Sequence, residues 1–252
     1  MATTQSTAPV PDIEYPESDG QPIAENTLQY RWIVTIHGGL DSMYRNARDV
    51  FVAADLLWYP IKGNNVVCMA PDIFVVFGRP KGDRGSYLQW EEDDLPPKAT
   101  FEILSPSNRK SDMSRKFVFY ETYGVDEYYI YDPDRVTLEG YIREGNKLVE
   151  IPKMDGWISP GLLIRFDMSG DELAIYQTNG RKFLTFQELS AQSDEQAARA
   201  EEERLARLQA QQRARKAEER AADVEKKLET AEAKAIRYAA KLRELGVEPN
   251  GE

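Results

Sequence analysis

Two acids sit where apolar strands ordinarily carry none. Asp72 opens "DIFVVFG" directly after Pro71, and Glu102 lies inside "ATFEILSP" beside Phe101, Ile103 and Leu104. Pro71 fixes φ and removes a backbone donor, which marks a strand start or an edge position. Neighbouring strands lie ~4.8 Å apart, so carboxylates on two adjacent strands converge on one point. Buried together they repel, and one gains a proton unless a cation lies between them. A hard divalent cation such as Mg2+ suits an all-oxygen ligand set. The competing reading is structural: Asp72 caps a turn and Glu102 faces solvent from an edge. The apolar neighbours of Glu102 speak against free exposure.

Further polar residues surround this pair in the chain. Asp55, in "AADLLWYP", is a third acid one strand earlier, or the polar member of an alternating strand. After Glu102 the chain breaks at Ser105–Pro106 and restarts as a helix bearing Lys116, whose simplest partner is Asp112 one turn before it. Ser105 and Ser107 bind a phosphate or cap that helix, capping being the simpler reading. Glu25, where an earlier helix begins, is explained by capping. Arg109, Lys110 and Arg115 form one basic cluster, and Arg79, Lys81 and Arg84 a second. Together they flank a nucleic-acid groove, or are ordinary solvated charge. Tyr128, Tyr129, Tyr131 and Asp132 read as strand core and sheet surface rather than base-stacking platforms.

Composition bounds the chemistry. A chain of 252 residues allows one sizeable domain plus an appendage, or two small domains. A single cysteine, Cys68, excludes an internal disulfide and a multi-cysteine zinc site. A single histidine, His37, excludes His-rich metal sites; in "VTIHGGL" it reads as a capping or packing residue at a helix end. "MATTQSTAPVPD" lacks the basic region and apolar core of a signal peptide, and no apolar run is long enough to span a membrane. The expected compartment is a reducing cytoplasm. Residues 190–252 hold 13 Lys/Arg and 14 Asp/Glu, while residues 1–189 hold 19 and 29 and carry nearly all of the net −11. That excludes a protein that coats nucleic acid through bulk positive charge, though not one with a local basic groove.

These residues must be positioned by a small set of elements. Residues 1–24 read as a flexible lead-in. "ENTLQYRWIVTIHGGLDSMY" repeats Leu28, Trp32, Ile33 and Ile36 at helical spacing, and Gly38–Gly39 reads as its stop. "DVFVAADLLWYPI" and "VVCMAPDIFVVFG" are strand-like and pair as a hairpin across "KGNN", and 79–98 form a long loop. "ATFEILSP" is a buried strand, Ser111 or Asp112 caps a helix running to about Tyr123, and "VDEYYIYDPD" follows as a strand parallel to the first. "LEGYIREGNKLVEI" is a hairpin with Gly-Asn at its turn. "GLLIRFDM", "ELAIYQTNGRKFL" and "TFQEL" complete an α/β or α+β domain with a mixed sheet.

From about residue 191 the chain is Ala, Glu, Arg, Lys, Gln and Leu, with no Gly or Pro until Gly246. Ala210, Ala214, Ala217, Ala221, Val224, Leu228, Ala231, Ala235, Tyr238, Leu242 and Leu245 alternate in steps of four and three. That is the a/d seam of a left-handed coiled coil, weak because most knobs are alanine. Self-association as a homodimer or higher oligomer is the expectation; a solitary charged helix is the alternative.

The stretches "APDIFVV", "FEILSPSNRKSDMSRKFVFYETYGVDEYYIYDPD" and "GWISPGLLIRF" carry a resemblance. The chain from about Glu25 to Leu189 resembles the Uma2 family of restriction-endonuclease-like proteins, within the PD-(D/E)XK nuclease superfamily. The resemblance implies a restriction-endonuclease-like domain over 25–189: a central mixed sheet flanked by helices, with metal held at one sheet edge. A helical coiled-coil tail at 190–246 and a disordered end at 247–252 complete the expected organisation. Asp72 takes the place of the PD aspartate and Glu102 that of the second acid. Glu25 matches the helix-borne acid of many relatives. Leu104 departs from the pattern, which has Lys there, and the resemblance moves the lysine's role to Lys116. It implies Mg2+ or Mn2+ held by Asp72, Glu102 and the Ile103 carbonyl, and phosphodiester hydrolysis in DNA. The other reading is an inactive nuclease fold that binds or regulates, oligomerising or recruiting partners through its tail; fold alone does not fix function.

Overall fold

A computed structural model describes residues 13–246. The first 12 residues of the expected lead-in, and the end at 247–252, lie outside the described residues. The chain divides into two compact units, meeting at Glu188–Leu189.

The first unit opens on an irregular segment that is anchored to the domain: the Tyr15 ring packs on Tyr59 and Trp90, and the Tyr59 hydroxyl donates to the Pro16 carbonyl. Helix α1 spans Thr27–Met43, capped by the Asn26 side chain. It runs straight through Gly38–Gly39, where the sequence reads as a stop. Its apolar stripe of Trp32, Ile33, Ile36 and Leu40 is buried, and four turns of continuous packing outweigh the low helix propensity of two glycines. Gly39 is needed for contact rather than for termination: a Cβ there would stand 2.3 Å from the Phe183 ring. His37 is therefore mid-helix and half-buried, and burial pushes its pKa down.

A six-stranded mixed sheet follows, built from β1 (Val50–Ala54), β3 (Ile73–Phe77), β5 (Ala99–Ile103), β6 (Glu127–Asp132), β7 (Thr137–Glu144) and β8 (Lys147–Glu150) in that spatial order. Between them, β2 (Trp58–Tyr59) and β4 (Tyr87–Leu88) form a small parallel pair, so the expected long hairpin is confined to β1 and β3. The reason is local: Asp55 adopts φ 50°, which ends β1 and turns the chain out of the sheet. The long 79–98 loop includes β4 and one 3-10 turn.

Strands β5 and β6 are parallel, joined by helix α2 (Lys110–Thr122) as a crossover. Arg109 is the N-cap residue, with no side-chain cap bond. Ser111 and Asp112 thus lie inside the first turn rather than capping it, and neither Ser105 nor Ser107 caps the helix. Strands β9 (Ile164–Asp167) and β10 (Ala174–Gln177) form a separate antiparallel pair. Before β9, buried Glu127 accepts from Tyr129, Ser159 and the Gly161 amide, which pins "GWISPGLL" against β6.

The central sheet is buried on both faces. Alternate residues Ile73, Val75, Phe101 and Ile103 pack with α1, while Phe74, Val76, Phe119 and Tyr120 form the core on the α2 side. Each fully buried large side chain contributes ~1.5–3 kcal/mol. The second unit continues helix α3 (Phe186–Glu244), in which no residue is buried. Thr185 and Glu188 form a capping box at its start. Among the described residues, no helix is long and apolar enough to cross a membrane.

Candidate active site

Strand register brings the two sequence-distant acids together. Strands β3 and β5 pair antiparallel with Ile73 opposite Phe101, so one further step sets Asp72 beside Glu102. The Ile103 amide donates to Asp72 Oδ2 at 2.6 Å. Period-two alternation sends Phe101 and Ile103 to the α1 side and Glu102 to the α2 side, where it is only 2 % exposed. An isolated buried carboxylate is costly, and α2 supplies its partners. Lys116 Nζ donates to Glu102 Oε2 at 2.5 Å, and the Tyr120 hydroxyl donates to Oε1 at 2.5 Å. Lys116 and Tyr120 are four residues apart and share one helix face. Lys116 also donates to the Ala70 carbonyl at 3.4 Å, just before the PD element. The ion pair with Asp112 does not form.

The electrostatics follow from this packing. Burial, then the charge of Glu102, pushes the Asp72 carboxyl up to about 7, against the opposing pull of Lys116 and the Ile103 amide. Burial pulls Lys116 down, but Glu102 and Asp72 outweigh it and the net shift is upward. Lys116 is an ammonium at neutral pH. Asp55 is pushed up to about 6, by burial first and then by Asp19 and Asp72. Its amide donates to the Pro71 and Asp72 carbonyls at 3.1 and 3.3 Å, so the turn at Asp55 abuts the PD element.

Glu25 reaches the C-terminal end of β5, the end that carries Glu102. It lies outside α1, and its Oε2 accepts from Ser105 Oγ at 2.7 Å. Ser105 Oγ also lies within hydrogen-bond reach of Ser107 Oγ and Asn108 Oδ1, at 2.8 and 3.1 Å, and its amide donates to Asn108 Oδ1. Two residues that the sequence reading did not single out complete the arrangement. Gln29 is buried and donates to the Ile103 carbonyl at 2.9 Å while accepting from the Glu25 amide. Tyr120 holds Glu102. Each left a signal: Gln29 is the polar member of an apolar helical stripe, and Tyr120 stands one turn beyond Lys116.

Among the described residues, no three His, Cys, Asp or Glu side chains gather as a metal cluster. A cation at this point would meet the oxygens of Asp72, Glu102 and the Ile103 carbonyl, which keeps one lone pair beyond its bond from Gln29. All are oxygens, and burial and the charge of Glu102 raise Asp72, a cost that a cation beside it would offset. These residues fit a hard divalent cation.

The two basic clusters differ. Arg79 is paired with Glu92 and Asp93, Arg84 with Glu92, and Lys81 with Asp41. Their charge is spent on folding the long loop. Arg109, Lys110 and Arg115 are exposed and make no ion pair among the described residues, and they flank the start of the helix that carries Lys116.

A mixed α/β protein with an acid pair at the ends of neighbouring strands, reached by a lysine from the crossover helix, is the class that this fold and site define. The chain belongs to the Uma2 family, described as "Putative restriction endonuclease", whose model matches residues 8–175. No curated protein matches the chain. Among solved structures, it is similar to one titled as a "putative nuclease belonging to DUF820" from Anabaena variabilis. That similarity has 16 % identity and a TM-score of 0.42, over 55 % of this chain and 75 % of the other.

Proposed function

We propose that the first unit is a divalent-metal-dependent endonuclease that hydrolyses phosphodiester bonds in DNA. One observation carries the reading: Lys116, from the helix after β5, reaches the buried acid beside Asp72, which supplies the cation that Leu104 cannot. Asp72, Glu102 and the Ile103 carbonyl would hold Mg2+ or Mn2+, with Asp55 close enough to add to the local field. When bound, such an ion lowers the pKa of a water and stabilises charge on the phosphoryl group. Lys116 Nζ orients that water and offsets negative charge on the phosphoryl oxygens. Tyr120 fixes the carboxylate of Glu102. Arg109, Lys110 and Arg115 contact backbone phosphates.

A second reading has its own support. Both Glu102 oxygens already accept hydrogen bonds, and among the described residues no third acid joins the pair in a cluster. This favours a nuclease fold that binds without cutting. Plasmid cleavage with Mg2+ or Mn2+ decides between them. The nuclease reading expects cleavage that EDTA abolishes and that Asp72→Ala, Glu102→Gln and Lys116→Ala each reduce by ~10²-fold or more, on the scale of losing a key electrostatic contact. Metal-dependent cleavage surviving all three substitutions sinks the site; no cleavage by the folded wild type supports the binding reading.

A further inference from the structure

The second unit presents an unpartnered face whose flanks specify what covers it. Helix α3 runs for 59 residues without a buried side chain. Its seam has Ala210, Ala217, Val224, Ala231 and Tyr238 at d, and Ala214, Ala221, Leu228, Ala235 and Leu242 at a. Val224, Leu228, Tyr238 and Leu242 are exposed in the single chain. The residues before each a position, at g, are Arg213, Arg220, Lys227, Lys234 and Lys241: all basic. The residues after each d position, at e, are Gln211, Glu218, Glu225, Glu232 and Ala239: acidic throughout the centre. One edge of the seam is positive and the other negative.

We propose that α3 pairs with α3 of a second copy of this chain as a parallel, in-register, two-stranded coiled coil. In a parallel pair each g residue faces the e residue of the next heptad on the other strand. That sets Arg213 against Glu218 of the second copy, Arg220 against Glu225 and Lys227 against Glu232, each pair occurring twice by symmetry. An antiparallel pair places g against g and e against e, which meets base with base and acid with acid. The charges therefore select both the partner and its direction. With alanine at most seam positions, little apolar area is gained per knob, so the flanking charges decide a larger share of the association than in a leucine-rich zipper. Within one chain Lys227 pairs with Asp223, an exposed contact of small value that leaves its charge available. Parallel pairing also joins both first units to the same end of the coil, which, on the proposed nuclease reading, would bring two cleavage sites to one DNA.

The test uses the full chain in a Cys68→Ser background. Ala210→Cys, near the start of the seam, is expected to form a disulfide-linked dimer on mild oxidation, because the parallel register sets residue 210 beside its own copy. No cross-link with Ala210→Cys alone overturns the proposal. So does a cross-link seen only when Ala210→Cys is mixed with Leu245→Cys, because antiparallel pairing joins those ends. Sedimentation of the wild type at tens of micromolar gives the mass of two chains; any other mass also overturns it. Arg220→Glu with Lys227→Glu raises the dimer Kd by ~10²-fold at low salt, since two of the three g–e pairs turn from attraction to repulsion on both sides of the coil. An unchanged Kd counts against charge selection. None of these readouts involves cleavage, so the pairing stands or falls apart from the nuclease reading.

Discussion

At the scale of single residues, the candidate site holds a carboxyl at a cost in stability. Asp72 carries a carboxyl whose folded-state pKa, about 7, lies well above its ordinary 3.8. Between those values the folded state binds more protons than the unfolded state, so stability falls as pH rises from about 4 to about 7 and levels off above. Asp55, raised to about 6, adds a contribution of the same sign over a narrower window. Asp72→Asn keeps an acceptor for the Ile103 amide but carries no charge. Its thermal stability without metal should therefore exceed wild type at pH 8, by ~2–3 kcal/mol after discounting for screening, and the gain should shrink towards pH 4. Melting curves across this range check it; a gain independent of pH, or a loss at pH 8, refutes the assignment. Adding Mg2+ at pH 8 should raise the melting temperature of wild type and not that of Asp72→Asn. That pattern is the opposition of stability and activity that the proposed metal site would produce.

At the scale of elements, adjacent glycines in α1 show what sequence order can and cannot reveal. Apolar spacing identified the helix and its buried face, and the parallel β5–α2–β6 unit followed from the order strand, helix, strand. Asp72 and Glu102 were legible because an acid in an apolar strand is conspicuous. The partner of Gly39 was not legible: Phe183 lies 144 residues away and meets the helix only in the fold. Nor could the salt links that neutralise Arg79, Lys81 and Arg84 be read, because charges on one loop look alike whether solvated or paired. Gln29 stood out only as a polar residue in an apolar helical stripe, since its partner Ile103 lies 74 residues away on β5. Gly38 and Gly39 therefore predict opposite effects. A Cβ at Gly38 meets nothing within 4 Å, so Gly38→Ala should stabilise by ~0.5–1 kcal/mol through helix propensity. A Cβ at Gly39 collides with the Phe183 ring, so Gly39→Ala should destabilise by ~1–3 kcal/mol despite the same propensity gain. Urea unfolding of both variants measures the difference, and equal shifts of one sign would refute the close-packing role.

At the scale of the whole molecule, the core and the proposed pairing seam lie in different parts of the chain. Every buried residue lies at or before Phe183 among the described residues, and α3 contributes none. The capping box of Thr185 and Glu188 closes the first unit, so a chain stopped at residue 190 retains its core and the site that joins Asp72, Glu102 and Lys116. Such a truncation should melt within a few degrees of the full chain, because no core contact is lost. It should sediment as a single chain, because the seam and its flanking charges are gone. Each truncated chain would still carry its own acid pair and lysine, so on the proposed reading total phosphodiester cleavage per site should change little. What should change is coupling between the strands: the full-length dimer converts supercoiled plasmid to linear product directly, while the truncated monomer accumulates nicked circles first. Comparing nicked and linear product over time at matched site concentration measures this. Equal linear-to-nicked ratios for the two chains would show that the tail serves something other than pairing two cleavage sites.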